Sequence, residues 1–182
     1  MQKYILFIAC MLILLPVSSC DSAKQISTSG TKIEERATTQ IEPAQIFLVR
    51  HAEKSKDDPK DPSLTEGGKE RAERLKFHLA NADIKSIYST DYKRTKQTIQ
   101  PLADYLGIQP ILYNPDLVDI TDILKQPQEG NIVVAGHSNT TPKLINNLLG
   151  TEKYKSLDES IYDRLFLVTK VGDSFSVTML KY

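Results

Sequence analysis

Ile46-Phe47-Leu48-Val49-Arg50-His51-Ala52-Glu53 is a run of four apolar residues leading straight into an arginine, a histidine and an acid. A short β-rich run without polar alternation describes a strand buried on both faces, as in a parallel sheet covered by helices. A second stretch has the same form: Asn131-Ile132-Val133-Val134-Ala135 gives way to Gly136-His137-Ser138-Asn139. Two histidines therefore follow the two most apolar strands, and in such sheets ligands collect beyond the carboxyl ends of the strands.

The sequence between and after these runs alternates strand and helix patterns. Thr65 is placed to cap a helix over 66–81, where Ala72, Leu75 and Leu79 recur at helical spacing. A strand is expected over 86–89, a helix over 92–106 stopped by Gly107, a brief strand over 111–113 and a short helix over 116–125. A helix over 141–149 follows the second apolar strand, and 164–171 with 174–180 reads as a closing antiparallel pair around Gly172-Asp173. The expected architecture is a three-layer α/β/α sandwich with a mainly parallel central sheet.

With 182 residues, 40% hydrophobic and 25% charged, the chain has the composition of one globular domain with a real core. Lys+Arg and Asp+Glu are equal at 23 each, so no overall field draws nucleic acid, and nucleic acid is not an expected partner. No long-period repeat is present, which excludes solenoids and propellers.

The first residues read as targeting sequence. Lys3 precedes an almost wholly apolar run of about 14 residues over 4–17, short of the roughly 20 that span a bilayer. Val17-Ser18-Ser19-Cys20 resembles the lipobox of bacterial lipoproteins. The resemblance implies a signal peptide over 1–19, cleavage before Cys20, lipid attachment to its thiol, and a membrane-anchored protein of the cell envelope exposed outside the cytoplasm. Cys10 would leave with the signal, so the mature domain would hold neither a free thiol nor a disulfide. The segment 20–42, rich in Ser, Thr, Gln, Lys and Glu, reads as the lipidated cysteine and a flexible tether, and 43–182 as the folded domain.

Four motifs occur in order in that domain: Arg50-His51-Ala52; Leu64-Thr65-Glu66-Gly67-Gly68; Ser89-Thr90-Asp91-Tyr92-Lys93-Arg94-Thr95 with Thr98; and Gly136-His137. Together they resemble the histidine phosphatase superfamily, with its phosphoglycerate mutase-like fold, over about 140 residues. The resemblance implies that His51 is the phosphate acceptor, that Arg50, Arg94 and His137 hold the phosphate, and that neither cofactor nor metal is required. The chemistry agrees. A phosphoryl group in flight spreads negative charge over its equatorial oxygens and needs cations and donors around it, with a nucleophile in line. Neutral imidazole is such a nucleophile near neutral pH; it needs one ring nitrogen free and the other bonded to an acceptor. His137 would donate as imidazolium, favoured by the anion, and Ser138, Asn139 or the amides of the following helix could add donors.

Many relatives carry a glutamate proton donor in an L-x-E stretch. Leu117-Val118-Asp119 is the nearest match here and makes Asp119 the candidate, with Asp116 and Asp122 as competitors. Glu53 either meets the pocket or pairs with Lys54; His78 has no motif around it and reads as a helix residue. The segment 54–61 reads as a solvated loop at the mouth. Only about 43 residues separate Arg94 from His137. That leaves no room for the covering insertion of the sugar-phosphate mutases, so a shallow site and a phosphatase similar to the compact phosphohistidine phosphatases are expected. A phosphorylated small molecule or phosphoprotein is the expected substrate and a monomer the expected state. The competing reading is a noncatalytic envelope lipoprotein that only recognises phosphate.

Overall fold

The computed structural model describes residues 44–182 apart from 118 and 127. The expected signal segment 1–19, Cys20 and the tether to residue 42 lie outside the described residues. Within them the order is β1 (Gln45–Arg50), α1 (Glu66–Leu79), β2 (Ile84–Thr90), α2 (Lys93–Leu106), β3 (Ile111–Tyr113), α3 (Thr121–Lys125), β4 (Asn131–Gly136), α4 (Thr140–Leu149), β5 (Arg164–Val171) and β6 (Ser174–Lys181).

The strands form one six-stranded sheet in the order β3-β2-β4-β1-β5-β6. The first four in chain order pair in parallel, and β5 and β6 extend the sheet antiparallel beside β1. Because side chains alternate across a strand, β1 splits its apolar run between two cores. Phe47 and Val49 pack with Leu75 and Leu79 of α1 and with Ile99 and Leu102 of α2. Ile46 and Leu48 pack on the other face with Leu124 of α3 and with Leu144, Ile145 and Leu148 of α4. The expected three-layer sandwich is the one observed. No helix of the described residues is long and apolar enough to cross a membrane.

Local chemistry sets the element boundaries. Thr65 Oγ1 accepts from the Gly68 N–H at 3.0 Å and starts α1; Gly107, at φ 66°, takes the left-handed conformation that ends α2. The helix expected over 116–125 is shorter than its pattern. Asn114 bonds the amides of Asp116, through Oδ1 at 2.9 Å, and of Leu117, through its carbonyl at 3.1 Å, closing a turn that holds α3 back to Thr121.

Candidate active site

β1 and β4 are adjacent parallel strands, with Arg50 paired to Gly136, so their ends emerge side by side. The His51 N–H donates to the Gly136 carbonyl at 2.9 Å, which carries the ladder one step past the strands and sets the two histidines together. Their ring centroids are 5.4 Å apart. β2 ends beside β4 and leads through Thr90, Asp91 and Tyr92 into α2, which brings Arg94 to the same place. Arg50, His51, Arg94 and His137 all line one cavity of about 650 Å³, so the structure brings together the four residues expected to surround the phosphate.

The His51 imidazole is oriented by its own backbone. Nδ1 lies 2.8 Å from the Ala52 carbonyl oxygen, which can only accept, so Nδ1 carries the proton and Nε2 keeps the lone pair in the neutral ring. The Ala52 N–H is in turn held by Thr98 Oγ1 at 2.9 Å, and the Thr98 hydroxyl donates to the Arg94 carbonyl at 2.7 Å. The first and third motifs are thus physically joined. Burial, reinforced by the neighbouring His137, Arg94 and Arg50, outweighs the Ala52 bond and pushes the His51 pKa down to about 3. Burial and the cations Arg94, Arg50 and Lys54 push His137 down to about 4. Both rings are neutral at pH 7 with no anion between them, and a bound oxyanion opposes the cationic contribution to both shifts.

Arg50 is almost wholly buried, at 1% exposure. Its Nη1 donates to the carbonyls of Asp158 at 2.8 Å and Ile161 at 2.9 Å, and its guanidinium lies 4.2 Å over the Tyr162 ring. Its Nη2 lies 3.1 Å from Glu159. The Glu159 carboxylate, which also takes the Ser138 hydroxyl at 2.9 Å and Lys54 at 3.6 Å, lines the cavity too. Arg94 lies 4.3 Å over the Tyr92 ring, 3.7 Å from Asp61 and 3.5 Å, through Nη2, from His137 Nδ1. The Nε–H groups of both arginines are buried with no acceptor among the described residues, a donor surplus that suits an oxyanion. Ser138 and Asn139, at the start of α4, line the cavity and put a helix N-terminus there, which favours negative charge.

Asp119, expected as the proton donor, is not brought to this cavity. It accepts from the Thr121 N–H at 2.9 Å, from the Thr121 hydroxyl, and from the Asn147 amide at 3.2 Å. The Thr121 bonds, that of the side chain first, hold its carboxyl below the usual range. An aspartate two residues before a helix start is engaged by that start, which the L-x-E resemblance could not register. Asp122 lies in the first turn of α3 and is likewise absent from the lining, whereas Asp116 belongs to it. Glu53 meets neither the pocket nor Lys54: it grips Arg71, with Nη2 at 2.6 Å and Nε at 3.0 Å. Burial alone would raise its carboxyl, but the Arg71 bonds leave it lowered. His78 is an exposed residue of α1. Lys54 is the member of the mouth loop 54–61 that lines the cavity.

Glu159, Tyr162 and Thr90 went unnoticed in the sequence. Glu159 and Tyr162 sit in a loop without periodicity and reach Arg50 from more than a hundred positions away, so no local signal marks them. Thr90 lies inside a motif, but only the fold shows that it faces His137.

The histidine phosphatase superfamily (branch 1) model matches residues 46–121. The solved protein histidine phosphatase SixA, complexed with tungstate, superposes with a TM-score of 0.62 at 16% identity, covering 75% of this chain and 96% of its own. A mycobacterial glucosyl-3-phosphoglycerate phosphatase gives 0.59 at 12%, covering 77% and 98%. The phosphoserine phosphatase of Entamoeba histolytica, in complex with 3-phosphoglyceric acid, gives 0.60 at 15%, covering 76% and 97%. At these identities the likeness is one of fold. Among curated protein sequences none matches this chain.

Proposed function

We infer that the chain belongs to the histidine phosphatase superfamily, branch 1, and from that premise that it hydrolyses phosphate from its substrate by way of a phosphohistidine on His51. The observation that carries the reading is the Nδ1 contact to the Ala52 carbonyl, which leaves the Nε2 lone pair as nucleophile among two guanidinium groups and a second imidazole. Nε2 attacks phosphorus, and the bond to the leaving group breaks with its electron pair on the departing atom, which takes up a proton. Water then attacks the phosphorus and gives one proton to the carboxylate that protonated the leaving group, the P–N bond breaks, and the pair returns to Nε2. Nδ1–H stays on the Ala52 carbonyl throughout and shares the positive charge that phosphorylation places on the ring.

Asp116 is the proton donor in this proposal. Among the carboxylates of the lining, Asp91 is held by Lys96 at 2.6 Å and Glu159 by Arg50, Lys54 and Ser138, whereas Asp116 has no side-chain partner among the described residues. The protein histidine phosphatase and the phosphoserine phosphatase among the structural relatives support a phosphorylated small molecule or a phosphoprotein as the substrate. The lipobox-like Val17-Ser18-Ser19-Cys20 supports placing this activity in the cell envelope, outside the cytoplasm, on a lipid anchor at Cys20.

Rapid quenching with ³²P-labelled substrate tests the chemistry. Acid-labile, base-stable label on the protein is expected, and it disappears in His51→Ala; label persisting in that variant overturns the assignment. Asp116→Asn is expected to slow label formation by roughly 100-fold with an alkyl phosphate and far less with an aryl phosphate whose leaving group needs no proton. Equal loss on both would remove Asp116 from the role.

A further inference from the structure

One hydroxyl carries one proton, and that restriction orders every hydrogen bond behind His137. Thr95 Oγ1 lies 2.8 Å from the Thr90 carbonyl oxygen and 2.9 Å from that of Tyr92. Neither carbonyl can donate, so the Thr95 proton points at one of them. Thr95 Oγ1 can then only accept from Thr90 Oγ1, 3.0 Å away, which commits the Thr90 proton as well. Thr90 Oγ1 is left as an acceptor toward His137 Nε2 at 3.0 Å. Both threonines are 0% exposed, so solvent offers neither an alternative partner. On the far side of the ring the Arg94 Nη2 group, which can only donate, lies 3.5 Å from Nδ1. At that distance, the edge of hydrogen bonding, the contact agrees with the tautomer the threonines impose and does not fix it by itself.

We propose that Thr90 and Thr95 are positioning residues that hold His137 protonated at Nε2, so that Nδ1 is the atom it presents to phosphate, and that a bound oxyanion brings a second proton onto Nδ1. The inference rests on the reading of this cavity as a phosphate site and extends it to a residue pair outside the cavity's charged set. The groups facing the ring are Arg94 and Tyr92 from the start of α2, Arg50 and His51 from the end of β1, and Lys54 from the mouth loop. Glu159 beside Arg50 and Lys54, and Asp61 beside Arg94, offset these cations in part, but neither carboxylate bonds the ring, and Nδ1 keeps its lone pair. A tetrahedral oxyanion reverses the balance: the ring takes one proton from solvent or from the ligand's own acidic form and donates Nδ1–H to an oxygen.

The test is a long-range ¹H–¹⁵N correlation spectrum of the full-length protein carrying ¹⁵N-histidine, titrated with inorganic tungstate, with signals assigned by His51→Asn and His78→Gln. The expected wild-type spectrum has His137 protonated at Nε2 with a lone pair at Nδ1, and tungstate converts Nδ1 to N–H. Thr90→Val loses the single tautomer and lowers kcat by about 10-fold or more, and Thr90→Ser restores both. A wild-type ring protonated at Nδ1, a Nδ1 that keeps its lone pair under saturating tungstate, or an unchanged tautomer in Thr90→Val overturns the proposal. The wild-type spectrum decides even if the valine variant fails to fold. The expected tautomer and tungstate response, in a protein that turns over no phosphorylated substrate, would sink the phosphatase reading and leave this inference standing.

Discussion

With no anion bound, His51 and His137 are neutral rings near pH 7, and that neutrality has a cost in acid. Burial, first among the causes, lowers His51 to about 3 and His137 to about 4, against 6.5 for an ordinary histidine. The unfolded chain therefore binds protons at both positions before the native state does, and stability must rise with pH across that interval. The contribution is fully present above pH 6.5 and is lost as pH falls toward the folded values. Each such proton adds a slope of up to about 1.4 kcal/mol per pH unit, less for the more exposed His137. Urea unfolding of the wild type between pH 7 and 4.5, in a buffer free of phosphate and sulfate, is expected to show this decline, and His51→Asn to flatten it. A His51→Asn protein with the wild-type slope would place the pH dependence elsewhere.

Among the elements, α1 shows most directly how a motif becomes geometry. Thr65 caps the helix through the Gly68 N–H, and the Thr65 N–H donates to the Glu53 carbonyl at 2.8 Å, so the chain leaving the site is fastened to the helix start. Gly68 is required for that approach: a Cβ there would lie 2.4 Å from the Glu53 carbonyl oxygen and 3.2 Å from the Glu53 nitrogen. Both obstacles are backbone and cannot rotate aside. Gly68→Ala, a favourable change for an isolated helix, is expected to destabilise the protein by about 2 kcal/mol and to reduce turnover through displacement of the segment after His51. Thermal unfolding together with phosphate release checks this; an alanine variant as stable as wild type would show that α1 does not need the close contact. This element was legible in the sequence because cap, glycine and apolar spacing agree locally. α3 was legible only in part, since Asn114, Asp116 and Asp119 all invite a helix start, and the turn that Asn114 closes leaves the start to Asp119 and Thr121.

At the scale of the whole molecule, the two histidines were readable from pattern, since adjacent parallel strands release His51 and His137 side by side, whereas the full set with Arg50 and Arg94 came from the resemblance carried by four motifs in order. The rest of the wall was not readable in the same way. Arg50 fastens the chain at Asp158 and Ile161, an association between distant positions that follows from the packing of β5 against β1 and from no local pattern. The proposed envelope location follows the opposite course, resting on the leader sequence and on nothing in the fold. If Cys20 carries the lipid, Cys20→Ser blocks acylation while leaving the sheet and its histidines untouched. Cells expressing either form and fed a labelled fatty acid are expected to label the wild type alone, with phosphatase activity in the membrane fraction for the wild type and outside it for the variant. The variant should keep its specific activity, because the cavity draws on residues 50–159 only. A Cys20→Ser protein that still takes up label and stays in the membrane fraction would reject the anchor at Cys20.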